Sequence, residues 1–281
     1  MPANREAGLR PLADWPLTER RQIVGVFTDI DDTLTSHGAI TPDALQALAD
    51  LKAAGLIVIA ITGRPVGWGQ PFAASWPVDA LVAENGAVAL VPQTVFGQNG
   101  LQPSSNMARP LSKLYQQDAA TRATNHAAMQ AVAEQVLRAV PSARLSDDKG
   151  GRETDLAFDY AEFNQQPPED VQQVLTLLEQ AGMHTTISSI HIHGCFGDFN
   201  KWMGACWIAR ELLGRDLASE IDRWAFVGDS GNDQVMFQHF THSFGVANVR
   251  RFTQQLTHLP RYITPSERGA GFAEVARAIT G

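Results

Sequence analysis

Asp29 and Asp31, in the segment Asp29-Ile30-Asp31-Asp32-Thr33, are the first residues placed to do chemistry. They follow an apolar run at 23–28, and two carboxylates just past a strand's C-terminal end can face one crevice. One can attack an electrophile while the other moves protons. A solvated acidic turn has the same letters. Thr62-Gly63-Arg64 follows a second apolar run, so its hydroxyl and glycine-flanked N–H groups can approach an anion. An ordinary strand-to-helix turn also fits. Lys201 opens a predicted helix, where a fixed ammonium neutralises phosphoryl charge and steadies a nucleophilic carboxylate. Alone, it is a surface lysine. Gly228-Asp229-Ser230-Gly231-Asn232-Asp233 follows the apolar run 224–227. Two carboxylates four apart on a glycine-bearing loop suit a hard divalent cation such as Mg2+, which takes one or two protein carboxylates plus water and phosphate. A capped Asx turn is the alternative.

The elements that must position these residues alternate. Continuous apolar runs at 23–28, 56–61 and 78–83 suit strands buried on both faces. Between the first two lies a helix, with Thr41 as N-cap, Pro42 in its first turn, Gly55 as its stop and a stripe of Ala44, Ala47, Leu48 and Leu51. Strands return at 224–227, 242–246 and 262–263, with helices after Lys201 and over 272–279. This is a doubly wound, Rossmann-like α/β sheet with right-handed crossovers. The pattern changes between. Residues 98–124 are polar and irregular, 125–140 reads as a helix, and 154–160 and 184–193 alternate like half-buried strands flanking a helix closed by Gly182. The predicted organisation is an N-terminal arm at 1–21, a core at 22–86 and 196–281, and an inserted α+β cap domain at 87–195.

Composition narrows the classes. The 281 residues carry a net charge of −8, which argues against general nucleic-acid or anionic-membrane binding but allows one focused cationic spot. Two cysteines outside any CxxC pair make no disulfide framework. No membrane-length apolar stretch and no secretory pattern is found, so a cytoplasmic setting and a small intracellular substrate are expected.

The order DxDxT, Thr, Lys, GDxxND resembles the four-motif pattern of the haloacid dehalogenase-like hydrolase superfamily. The long gap between Thr62 and Lys201 resembles the type-two cap group. Thr62-Gly63-Arg64-Pro65 and Glu84-Asn85-Gly86-Ala87 look like subfamily IIB, which includes Cof-type, sucrose-phosphate and mannosyl-phosphoglycerate phosphatases and phosphomannomutases. The resemblance implies a phosphatase working through an aspartyl phosphate. Asp29 would be the nucleophile and Asp31 the acid and then base, where ATPase-type relatives carry Thr. Thr62 and Lys201 would hold phosphoryl oxygens. Mg2+ would sit on Asp29, Asp229, Asp233 and the Asp31 carbonyl. Thr33, Gly63, Arg64, Asn85 and Asn232, in the same segments, are expected on the substrate side. Two letters depart from the pattern: Asp32 stands where Gly is commoner, and Asn200 where a small residue is usual.

The cap bears on the substrate, expected to be a small phosphorylated metabolite with sugar and glycosyl phosphates among the options. Alternation over 188–193 places Ser189, His191 and His193 on one face, able to overhang the crevice, and sends Ile190 and Ile192 to the cap core. Arg152 is a further candidate for an anionic or polyhydroxy group. A solvent-facing strand is the alternative. A zinc site on the two histidines lacks a third ligand at suitable spacing. A phosphomutase and a phosphometabolite-binding regulator remain as rival functions.

Overall fold

The computed structural model describes residues 8–93 and 109–281. Its strands are β1 Arg10–Pro11, β2 Gly25–Thr28, β3 Thr35–Ser36, β4 Ala39–Ile40, β5 Ile57–Ile61, β6 Ala80–Ala83, β7 Val88–Pro92, β8 Leu111–Tyr115, β9 Leu156–Asp159, β10 His184–Ile187, β11 His191–Cys195, β12 Trp224–Gly228, β13 His242–Gly245 and β14 Tyr262–Ile263. Its α-helices are α1 Leu17–Arg20, α2 Pro42–Ala53, α3 Val66–Ser75, α4 Ala119–Ala139, α5 Pro168–Gln180, α6 Lys201–Leu213, α7 Gln234–His239 and α8 Arg268–Thr280.

Nine strands form one sheet in the order β1-β14-β13-β12-β2-β5-β6-β7-β8, with parallel pairing from β1 to β6. β2 and β12 are buried along their whole length, as their unbroken apolar letters require of strands covered on both faces. β2, β5 and β12 are neighbours, so the segments that follow them emerge side by side. Thr41 caps α2 through a bond from the Ala44 N–H, with Pro42 in the first turn. The Asn200 side chain accepts from the Met203 N–H and caps α6, which explains an Asn before Lys201.

Three expectations change. β7 and β8 pair antiparallel on the edge of the core sheet, so the insertion leaves the core after Tyr115 and not at 87. The arm is not free. β1 extends the sheet beside β14, and Trp15 is buried against Phe244 and Tyr262 with its indole N–H on His242 Nδ1. Residues 1–7 of that expectation, and 98–108 of the irregular stretch, lie outside the described residues; 111–115 is strand and α4 begins at Ala119. Finally, 184–193 is a hairpin. β10 turns through Ser188, whose hydroxyl accepts from the His191 N–H, into β11. Ile192 enters the cap core while Ile190 stays in the turn. The cap sheet, β10-β11-β9, is antiparallel and packs on α4 and α5.

Candidate active site

Asp29 follows β2, and its N–H bonds the Val227 carbonyl of β12. Its Oδ1 lies 2.5 Å from Lys201 Nζ, which lies 2.6 Å from Asp233 Oδ1. Lys201 is buried at the start of α6, which aims the ammonium into the sheet's C-terminal crevice. Asp233 Oδ2 accepts the N–H groups of Asp229 and Ser230 at 2.8 and 3.1 Å and holds that loop in shape. Asp229 Oδ2 accepts from Asn248 at 2.9 Å.

Two buried oxygens of the cluster, Asp29 Oδ2 and Asp229 Oδ1, have no hydrogen-bond partner among the described residues. Asp29, Asp229 and Asp233 each bring an oxygen within 4.8 Å of the others. Three carboxylates thus share one ammonium away from water. Burial pushes Asp29 up to about 7, with Lys201 opposing and Asp233 and Asp31 adding to the rise. Burial, with Asp29 and Asp233 beside it, also raises Asp229 well above the carboxylate range. Burial works to lower Lys201, but the two aspartates outweigh it and raise the ammonium's affinity for its proton. Bare acceptors in a cation-deficient cluster fit a hard divalent ion. Asp29 Oδ2 and Asp229 Oδ1 would face it, whereas Asp233 has both oxygens already engaged.

Asp31 sits across the same crevice. Its Oδ1 takes Arg64 Nε at 3.0 Å and its Oδ2 takes the Thr62 hydroxyl at 3.4 Å. The Arg64 N–H in turn donates to Thr62 Oγ1. Arg64 also reaches Glu162 of the cap at 2.8 Å. Burial works to raise the Glu162 carboxyl, but hydrogen bonds from His191 and Arg64 outweigh it and hold the group down at about 2. Asp29, Asp31, Thr62, Gly63 and Arg64 line one small cavity of about 10 Å³, and the cap closes it with Ser188 to His191, and His193. Outside it a second cavity of about 520 Å³ is lined by Asp31, Arg64, Trp68, Glu162 and Ser189, among others. Of Asp29 and Asp31, only Asp31 lines both cavities.

The other expected residues divide. Ser189, His191, His193 and Asn232 line the small cavity, Ser189 from the hairpin turn and not from a strand face. Asn85, with φ +51°, accepts from Asn232 Nδ2 at 3.1 Å beside it. Asp32, with φ +56°, adopts the left-handed turn that Asp tolerates and Gly commonly fills. Thr33 is fully buried, its hydroxyl without a partner among the described residues, and it lines none of the described cavities. Arg152 is not in the catalytic cavity. Its guanidinium is taken by Asp155, Asp148 and the Gly63 carbonyl. Four residues had not been singled out. Asn248 holds Asp229. Asp155 and Glu162 anchor His193 and Arg64. Glu84 accepts from Val66, Glu153 and Thr154 and ties core to cap. Glu84 and Asp155 lay in segments the sequence marks, Asp155 at the start of the alternating stretch 154–160; Asn248 and Glu162 carry no such signal.

Residues 26–130 match the family model described as haloacid dehalogenase-like hydrolase. No curated protein matches the chain in sequence. Solved structures match its fold. A Thermoplasma acidophilum protein has a TM-score of 0.66 at 17% identity over 92% of this chain and 98% of its own. The sucrose-phosphatase of Synechocystis, solved with sucrose and phosphate, gives 0.63 at 15% over 92% and 98%. A sugar phosphatase described as subclass IIB gives 0.56 at 16% over 86% and 93%. The similarity to these structures is one of fold, cap included. Among the described residues no helix is long and apolar enough to cross a membrane.

Proposed function

We propose that the chain is a haloacid dehalogenase-like hydrolase, and that it is a Mg2+-dependent phosphatase that hydrolyses a small phosphorylated metabolite through an aspartyl phosphate on Asp29. One observation carries this reading: Asp29, fixed by Lys201, and Asp31, fixed by Arg64 and Thr62, line the same small cavity.

The Asp29 carboxylate attacks phosphorus in line, and the ester bond breaks as Asp31 gives its proton to the departing alkoxide. Asp31, now a base, takes a proton from water, which attacks the acyl phosphate and frees inorganic phosphate and Asp29. Lys201 and Thr62 hold the phosphoryl oxygens, where charge is concentrated in the transition state. Arg64 holds the Asp31 carboxyl in place at the cavity. Cap residues Ser188 to His191 and His193 cover this cavity and would shield the first step from bulk water. Mg2+ on Asp29 Oδ2 and Asp229 Oδ1 would neutralise phosphoryl charge and offset the repulsion between the aspartates. A sugar or glycosyl phosphate is the favoured substrate class, because the fold is shared with phosphatases of sugar phosphates.

The test is phosphate release from a panel of sugar and polyol phosphates with Mg2+, beside Asp29→Asn. The variant should lose on the order of 10³-fold or more. Acid-quenched wild type should carry a phosphoryl label on Asp29. A variant within tenfold of wild type excludes Asp29 as nucleophile.

A further inference from the structure

A buried histidine of the cap has one ring nitrogen engaged and the other bare. His193, on β11, places Nδ1 3.1 Å from Asp155 Oδ2. Arg152 Nη1 donates to both oxygens of that carboxylate, at 2.8 and 3.0 Å, and to the Gly63 carbonyl at 2.9 Å. A carboxylate held by a guanidinium is an acceptor, so the His193 proton sits on Nδ1 and the Nε2 lone pair is left free. Nε2 is buried and has no partner among the described residues. Burial first, and then the neighbouring Arg152 charge, push the ring's pKa well below its usual value, so it is neutral.

The bare nitrogen lies beside the segment Thr62-Gly63-Arg64. It lies 3.0 Å from where a Cβ on Gly63 would stand, so glycine between Thr62 and Arg64 leaves the ring its room. His193 lines the same small cavity as Asp29 and Asp31. A lone pair there asks for a donor, and a phosphoryl dianion has none. Left facing an apolar group, it is an unsatisfied buried acceptor.

We propose that His193 Nε2 accepts a hydrogen bond from a hydroxyl close to the phosphoester on the substrate's leaving group, so that the site selects sugar and polyol phosphates over alkyl and aryl phosphates. The proposal rests on the phosphatase reading for which part of the ligand meets His193. Asp155 and Arg152 are positioning residues, fixing the ring's tautomer without touching substrate.

The matched probes are glycerol 1-phosphate and propyl phosphate, which differ only in hydroxyls. Their affinities are measured by calorimetry with Mg2+ on Asp29→Asn, where turnover cannot intervene. Glycerol 1-phosphate should bind about tenfold tighter, the size of one hydrogen bond whose absence leaves a buried acceptor bare. Adding His193→Ala, or His193→Phe to keep the ring's volume, should bring the ratio close to one. Either variant suffices if the other does not fold. A ratio near one in Asp29→Asn alone overturns the proposal. So does a ratio that survives both His193 changes while both affinities fall together, the mark of a purely structural histidine. Phosphate release by wild type is read separately: its absence defeats the phosphatase reading and leaves the affinity ratio standing as the measure of His193.

Discussion

Replacing Arg152 by Leu separates a group that binds substrate from one that holds the cap on the core. The guanidinium contacts Asp155 at 2.8 and 3.0 Å, Asp148 at 3.2 and 3.3 Å and the Gly63 carbonyl at 2.9 Å, and its side chain is 3% exposed. Leucine fills part of the space and satisfies none of these oxygens. Removing one partner of a buried ion pair costs about 3–5 kcal/mol, because the remaining charge stays buried. At about 2–4 °C per kcal/mol for chains near this size, Tm should fall by roughly 10 °C. The deficit has a pH signature. Burial raises Asp155 to about 6 in the folded protein, against Arg152, which lowers it. A raised carboxyl costs stability where it is charged, above about 6, and the cost fades as pH falls and it takes a proton. Without Arg152 the group rises further, so the variant's deficit should be largest at pH 8 and smaller at pH 5. Thermal unfolding at both pH values without substrate checks this. An unchanged Tm with a raised KM would refute the argument and return Arg152 to the substrate site.

Further outcomes are expected. Lys201→Met leaves Asp29 and Asp233 with no counter-charge, and phosphate release should drop on the order of 10²–10³-fold; a loss under tenfold means the ammonium is not needed at the phosphoryl group. Burial raises Asp29 to about 7, and the nucleophile must be ionised, so at limiting Mg2+ kcat/KM should fall as pH drops through about 7. A divalent cation on the orphaned oxygens favours the charged form, so saturating Mg2+ should move that acid limb to lower pH, and Asp229→Asn should abolish the rise in Tm that Mg2+ produces. A limb indifferent to Mg2+ and a preserved thermal shift in Asp229→Asn would together remove the cation from this site.

The amino-acid letters alone determined the core and its reactive groups. Apolar runs ending at Asp29, Thr62 and Gly228 are local signals: these strands, buried on both faces, are mostly apolar along their length, so the clusters of polar residues fall at the crevice. The cap of Thr41 on α2 and the strained turn at Asp32 were equally local. β7 and β8 were not, because edge pairing depends on what lies beside a strand. Neither was the hairpin at Ser188–His191, since unbroken alternation does not mark a reversal made by one serine hydroxyl. The largest differences concern charged groups. Arg152 reads as a free cation until Asp148, Asp155 and the Gly63 carbonyl, up to 89 positions away, converge on it. His193 shares its strand face with His191, yet only the fold gives one ring Asp155 and the other Glu162. Residue type fixes which groups can titrate or donate. Which donor meets which acceptor, and so which one is left free for a substrate, is decided by contacts across the chain that leave no local pattern.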